Sequence, residues 1–405
     1  MSKFSSRALL GLGLLLVFLY LGISSQGYSG LWGETDFRAY WGASLLLSQG
    51  ERFNDHDRLL VLQQTLTGFE ENSALMTWNP PWILIVFIPL TLLSFDNAAL
   101  LWIFINTFFF IWSLEAIWAM WPEDKKVTGR KIWLYASLLL FFPFWNAIAI
   151  GQITPMVLFG LVATFYFAET RPVLAGLCLA LVTPKPHLVL ITFPVLLIDA
   201  FYKKNWRLLI GFALALVTLT TIALWLRPSL FVDYFTETGS SIQVGLVEAP
   251  LVPYMIANWI GWLPFRYVGV LVVPLALIYW FQEWRQFESP TRLLNLLVVF
   301  QLFSLLFAPY GFSFDYILIL PIIWALLIVV TPDTIAPWRR AIVLITILLS
   351  CVIMIALPII ELKSFKFLSW FVPIICLLYF VIKPFDDLRT NRQEDASVQQ
   401  INRGS

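Results

Sequence analysis

Long apolar runs recur along almost the whole chain, and the polar residues gather between them. The runs fall at 8–23, 81–95, 98–121, 132–147, 153–168, 172–201, 207–226, 267–281, 293–307, 316–330, 341–358 and 367–382. A helix needs roughly 20 apolar residues to cross the hydrocarbon core. Judged against that length, the pattern predicts about twelve crossings with both termini inside. The first run follows Lys3 and Arg7 and has no small-x-small cleavage site. It predicts a retained transmembrane helix rather than a secretory leader. Residues 24–79 interrupt the pattern with Glu34, Asp36, Glu51, Asp55, Asp57, Glu70 and Glu71 against Arg38, Arg52 and Arg58. An acidic loop after a basic start belongs outside by the positive-inside rule. Two helical patterns within it, near 36–49 and 56–69 around Gly50, are too short and too polar to span. They are predicted to lie along the outer membrane surface.

The loop charges support this frame in three places and leave it open in two. Lys203-Lys204-Asn205-Trp206-Arg207 and Trp338-Arg339-Arg340 fall inside, and the acidic loop 227–265 falls outside. Lys125, Lys126, Arg130 and Lys131 land outside if 81–95 and 98–121 both cross. The run 172–201 is too long for one straight helix and is broken at Thr183-Pro184-Lys185-Pro186-His187. Two segments there, with one upstream hairpin re-entrant, would improve the charges. The fold expected is an all-α polytopic membrane domain over 1–383, followed by a disordered cytoplasmic tail over 384–405, which is polar and without periodicity.

Composition agrees with the pattern. The chain has 405 residues, of which 60% are hydrophobic and 13% charged, with mean hydropathy +0.81. Soluble chains carry about 25% charged and 45–50% apolar residues, so a water-soluble globular domain is excluded. Lys and Arg number 26 against 25 Asp and Glu, which leaves no basic surface for nucleic acid. Trp, Phe and Tyr make up 17%, as expected where aromatic belts mark two membrane interfaces. Cys178, Cys351 and Cys376 lie inside apolar runs with no partner at metal-ligand spacing, and read as small buried hydrophobes.

Few residues in so apolar a chain can carry chemistry. Asp36, just beyond the first membrane helix, is followed by Arg38, Tyr40 and Trp41. A carboxylate can accept a hydroxyl proton as general base, and aromatic faces pack against sugar rings. The same residues also fit a helix start with interface anchors. Asp55 reads as a helix cap and His56 as a solvated loop residue. Gly151-Gln152-Ile153-Thr154-Pro155 breaks two apolar helices, and such backbone is tolerated at membrane depth only inside protein or along a cavity. Gln152 either bonds a substrate hydroxyl or bridges helices. Lys185, between prolines in an apolar run, is costly unless paired or functional. A compact cation there suits a phosphate, with His187 as a second donor; the other reading is a snorkelling lysine. Asp315, within Pro309-Tyr310-Gly311-Phe312-Ser313-Phe314-Asp315-Tyr316, is either a cap or a second ligand in the outer cavity. No zinc-type ligand cluster appears; a loosely held Mg or Mn is left open.

Together these pieces resemble glycosyltransferase family 87, the polyprenol-phosphate-mannose-dependent α-mannosyltransferase type of C-type membrane glycosyltransferase. The resemblance runs from roughly 30 to 330. It is carried by Asp36 to Trp41, Gly50 to Asp57, Pro80-Pro81, Trp102, Gly151-Gln152, Ala175 to Lys185 and Pro309 to Tyr316. It implies a C-type multi-helix fold in the cell membrane with its site facing outward. The implied donor is a sugar on polyprenyl phosphate, and the acceptor a glycolipid or glycan. Asp36 matches the family's first-loop catalytic acid and Lys185 its membrane lysine. Two positions depart from the pattern. Phe314-Asp315 stands where many members have a histidine pair, and Thr154 where an asparagine is common.

The chemistry expected is a single inverting displacement, with Asp36 as base. Lys185 and His187 would face the departing phosphate, and Arg38, Tyr40, Trp41, Gln152 and Asp315 would contact substrate. No cofactor is expected. The alternative is a transporter or flippase for a lipid-linked saccharide. Transporters place their sites between repeated halves near the midplane. This chain shows no such repeat and concentrates its acids in the first outer loop.

Overall fold

The computed structural model describes residues 36–121, 141–238, 251–284, 292–330 and 371–382, with isolated helical positions between 338 and 349. The expected first membrane helix, residues 24–35, the basic stretch 125–131 and the polar tail lie outside the described residues. Every element described is helical. This suits a chain whose apolar runs must satisfy their own backbone.

The first loop supplies α1 (Asp36–Ser48) and α2 (His56–Thr67). Asp55 caps α2 by accepting from the backbone N–H of Arg58 at 3.1 Å, as its position predicted. Short turns over Pro81–Leu92 lead to α3 (Phe95–Met120). Then come α4 (Phe142–Ala149), α5 (Thr154–Phe167) and α6 (Pro172–Ala180). They are followed by α7 (Thr192–Tyr202) and α8 (Trp206–Leu226). The remainder is α9 (Val252–Trp259), α10 (Val268–Tyr279), α11 (Arg292–Leu306), α12 (Leu320–Val330) and α13 (Phe371–Ile382).

Three helical stretches, Phe95–Met120, Trp206–Leu226 and Leu263–Glu283, are long and apolar enough to cross a membrane. The other apolar helices described are shorter, so the twelve runs do not each become a full-length span. Pro81–Leu92 is one of the short ones. Proline at both 81 and 89 breaks it into single turns. The run 172–201 does divide, into α6 and α7, at the predicted proline-rich break. That break is held by polar residues of α11. Ser304 Oγ accepts from the N–H groups of Ile191 and Thr192 at 3.1 and 2.8 Å. Gln301 donates to the Leu188 carbonyl at 3.0 Å.

Contacts between loops fix two opposite ends. At one end Asn54 donates to the Asp233 carbonyl at 2.7 Å. Arg227 donates to the Gly50 carbonyl at 3.0 Å, and Tyr234 to the Trp78 carbonyl at 3.0 Å. The first loop and the start of the 227–265 loop therefore share a side, as their charges predicted. At the other end Asn205 donates to the Ala168 carbonyl at 3.0 Å. There the buried Asp199 carboxylate pairs with Arg292 and accepts from Trp280 Nε1. Between the ends, α8 rises about 31 Å and α5 about 21 Å, at 1.5 Å per residue. Where α6 and α8 cross, a side chain on Gly176 would run into the Leu208 carbonyl. Small residues at membrane-helix crossings permit such backbone approach.

The structure corrects one expectation about the first loop. Only α2 is a surface helix, with Leu59 and Gln63 its buried residues. Helix α1 is enclosed: Phe37, Tyr40 and Trp41 pack into a cluster with Phe87, Phe95 and Trp102. Its apolar residues lie all round the helix rather than on one stripe, and such a helix is buried.

Candidate active site

The site is assembled on the turn between α4 and α5. Gly151 ends α4 at φ +69°. Its N–H donates to the Ile148 carbonyl at 3.1 Å, and that of Gln152 to the Ala147 carbonyl at 2.9 Å. This paired bonding closes helices whose last position is left-handed, which glycine adopts without strain. Trp102 Nε1 donates to the Gly151 carbonyl and Asn106 Nδ2 to the Gln152 carbonyl, each at 2.9 Å. The N–H of Phe37 donates to the Ile150 carbonyl at 3.3 Å. The start of α1, and with it Asp36, is thus docked on the turn that presents Gln152.

Gln152 is 4% exposed and joins two charges. Its Nε2 donates to Asp36 Oδ2. Its Oε1 accepts from Lys185 Nζ at 3.0 Å and from the Tyr40 hydroxyl at 3.4 Å. Lys185 Nζ also donates to Thr154 Oγ1 at 2.9 Å and to Asp315 Oδ1 at 2.6 Å. An ammonium has three protons, and all three are committed. Thr154 Oγ1 donates to Asp315 Oδ1 at 3.0 Å. The N–H of Phe312 donates to Asp315 Oδ2 at 3.0 Å, so Asp315 both caps its own turn and faces the lysine. Phe314 lies beneath the ammonium, 4.7 Å from ring centroid to Nζ.

Asp36 lies on α1, outside the membrane-spanning segments. Burial pushes its carboxyl up to about 6, Lys185 and the Gln152 hydrogen bond pull it back, and Asp315 adds to the rise. A carboxylate poised near 6 suits proton abstraction near neutral pH.

Of the residues singled out in the sequence, the structure brings together Asp36, Tyr40, Gln152, Lys185 and Asp315. His187 stands beside them, stacked on Tyr310 at 4.0 Å between ring centroids. Arg38 and Trp41 go elsewhere. Arg38 is fully buried, donates to the Thr67 carbonyl at 3.0 Å and lies over Phe69. Trp41 Nε1 donates to the Leu90 carbonyl at 3.2 Å. Both lock α1 in place rather than line the cluster. Sequence reasoning missed the parts played by Thr154 and Asn106. Their signal was a polar residue inside an otherwise apolar run. No three His, Cys, Asp or Glu side chains converge among the described residues.

The middle of the chain, residues 77–309, matches the family model of glycosyltransferase family 87. The chain belongs to glycosyltransferase family 87. Neither a curated protein nor a solved structure matches it significantly. The family segment contains Gln152, Thr154, Lys185 and His187, while Asp36 and Tyr40 precede it and Asp315 follows it. Family 87 membership makes the chain a membrane glycosyltransferase and sets the transporter reading aside. In this family 87 enzyme Gly151 is the hinge on which the cluster hangs. A Cβ at Gly151 would stand 2.5 Å from that of Phe37, and the left-handed backbone adds about 1–2 kcal/mol of strain. Gly151→Ala should therefore lower the melting temperature. It should also cut transfer about 100-fold, the scale of an ångström-sized misplacement. Thermal unfolding and a transfer assay on the same preparation would check both.

Proposed function

We propose that this enzyme moves a sugar, mannose, from polyprenyl phosphate to a hydroxyl of a glycolipid or glycan acceptor. The reading places it in the cell membrane as a C-type protein of about twelve crossings, with its site on the outer face. One observation carries it: a carboxylate of raised basicity, Asp36, is coupled through one amide to a buried ammonium, Lys185, at a break between membrane helices. A soluble donor has no reason to find its cation at that depth, whereas a lipid-borne phosphate arrives there by diffusion in the bilayer.

The acceptor oxygen attacks the anomeric carbon from the side opposite the phosphate and loses its proton to Asp36. The bond from the anomeric carbon to the phosphate oxygen breaks, and its electron pair leaves with the phosphate. One displacement inverts the anomeric centre. Lys185 stabilises the charge that develops on the leaving group. Its protons are committed to Gln152, Thr154 and Asp315, so a phosphate oxygen must replace one of these acceptors. The Thr154 hydroxyl is the neutral acceptor that can yield, which leaves the contacts with Gln152 and Asp315 in place. His187 on its Tyr310 platform borders the same place. Divalent-ion dependence is to be tested by adding Mg or Mn to the same assay.

Proteoliposomes given labelled mannose on a short polyprenyl phosphate, with a lipid extract as acceptor, should transfer label with inversion. The same vesicles given GDP-mannose should not. Because Asp36 must be ionised to act, the rate should rise about tenfold per pH unit up to about 6 and level off above. Equal transfer from the nucleotide sugar, or a retained anomer, would overturn the reading.

A further inference from the structure

We propose that Gln152 is the positioning residue for the base, and that Lys185 and Asp315 orient Asp36 through it. The proposal rests on the reading of Asp36 as base and goes beyond it. An amide has a donor end and an acceptor end, and its direction is decided by its neighbours. Lys185 Nζ can only donate, so Oε1 of Gln152 must face it, and the Tyr40 hydroxyl donates to the same oxygen. Nε2 is thereby aimed at Asp36 Oδ2. Turning the amide over would set NH₂ against ammonium and carbonyl against carboxylate, repulsive at both contacts.

Lys185 is in turn held by Asp315, which is anchored to the Phe312 N–H and to Thr154. The series Asp315, Lys185, Gln152, Asp36 therefore has one polarity, set from the end remote from the base. Each of the three residues behind Asp36 is at least 95% buried, so water offers no substitute partner. The result at Asp36 is specific. Oδ2 is tethered, and Oδ1, which has no hydrogen bond among the described residues, is left to take the acceptor's proton. Among the described residues, the charged and titratable groups facing Asp36 are Lys185, Asp315 and Tyr40, with the His187–Tyr310 pair beyond them.

Two variants test this. Gln152→Glu keeps an acceptor for Lys185, removes the donor to Asp36 and adds a like charge. Gln152→Leu removes both contacts. Asp36 protonation is read without any sugar, from the pH dependence of labelling by a hydrophobic carbodiimide, which attacks protonated carboxyls. Peptide mass spectrometry locates the label. The midpoint should rise by one pH unit or more in both variants, and the acid limb of transfer should rise with it. The maximal rate should fall 10- to 100-fold with donor KM changed less than twofold. If either variant fails to fold, the other carries the test. An unmoved midpoint in a folded variant would overturn the proposal, and so would a loss confined to KM, which would make Gln152 a substrate contact. Absence of transfer by the wild-type protein would overturn the functional reading instead, and the labelling midpoint would still decide the role of Gln152.

Discussion

Asp36→Asn should cost about 10²–10⁴-fold in transfer, the range for removal of a positioned general base, while making the protein more stable. Asparagine keeps the shape and can still accept from Gln152, but it takes no proton. Burial raises the Asp36 carboxyl from 3.8 to about 6, so ionisation is harder in the folded state than in the unfolded one. At about 1.4 kcal/mol per pH unit, the ionised folded protein carries a penalty of up to about 3 kcal/mol. That penalty is complete above about pH 6 and vanishes as the pH falls towards 3.8. The variant should therefore melt higher than wild type at neutral pH, and the two should converge near pH 4. Tryptophan-fluorescence melting curves at several pH values, beside the transfer assay, would check this. Lower activity with an unchanged or lower melting temperature at neutral pH would make Asp36 a structural residue.

Lys185→Met should be damaging in both respects. Asp315, 1% exposed, would be left ionised without its cation, and breaking a buried pair costs about 3–5 kcal/mol. Transfer should fall about 10²–10³-fold, the cost of losing one donor to a developing oxyanion. Adding Asp315→Leu separates the two effects. The double variant replaces a buried pair by apolar residues, which is often neutral for stability. It should regain most of the lost melting temperature and none of the transfer. Recovery of transfer with stability would mean that Lys185 serves folding alone.

The sequence made some parts of the site legible because a hydrophobic chain exposes its exceptions. Gln152 and Lys185 stood out as polar exceptions in apolar runs, Asp36 as an acid followed by aromatics in the first loop and Asp315 as an acid opening a late helix, and the fold brings all four into one network. The break at Pro184 and Pro186 was legible because proline cannot continue a helix. Arg38 and Trp41 pack beside that network rather than in it. An arginine beside aromatics suits a substrate, but it equally suits a packed helix pair, and only the positions of Phe69 and the Thr67 carbonyl decide between them. Burial of α1 was illegible because it depends on the turns over Pro81–Leu92 folding back upon it. Thr154 was noticed within the break at 151–155 and as a departure from the family pattern, not as a partner of the lysine. Its role needs Lys185 and Asp315 to arrive from 31 and 161 residues away.

That sequence separation has a consequence for how the protein is made. Lys185 enters the bilayer 130 residues before Asp315. At about 5–20 residues per second of synthesis, roughly 7–26 s pass with the cation inserted and its carboxylate not yet translated. Gln152 and Thr154 are already present and can cradle the ammonium, and Asp36 faces it across Gln152, but the carboxylate that pairs with it directly is still missing. Chains truncated before residue 315 should therefore be recognised as unfinished by membrane quality control, and arrival of the last partner gives the lysine its ion pair and completes the site.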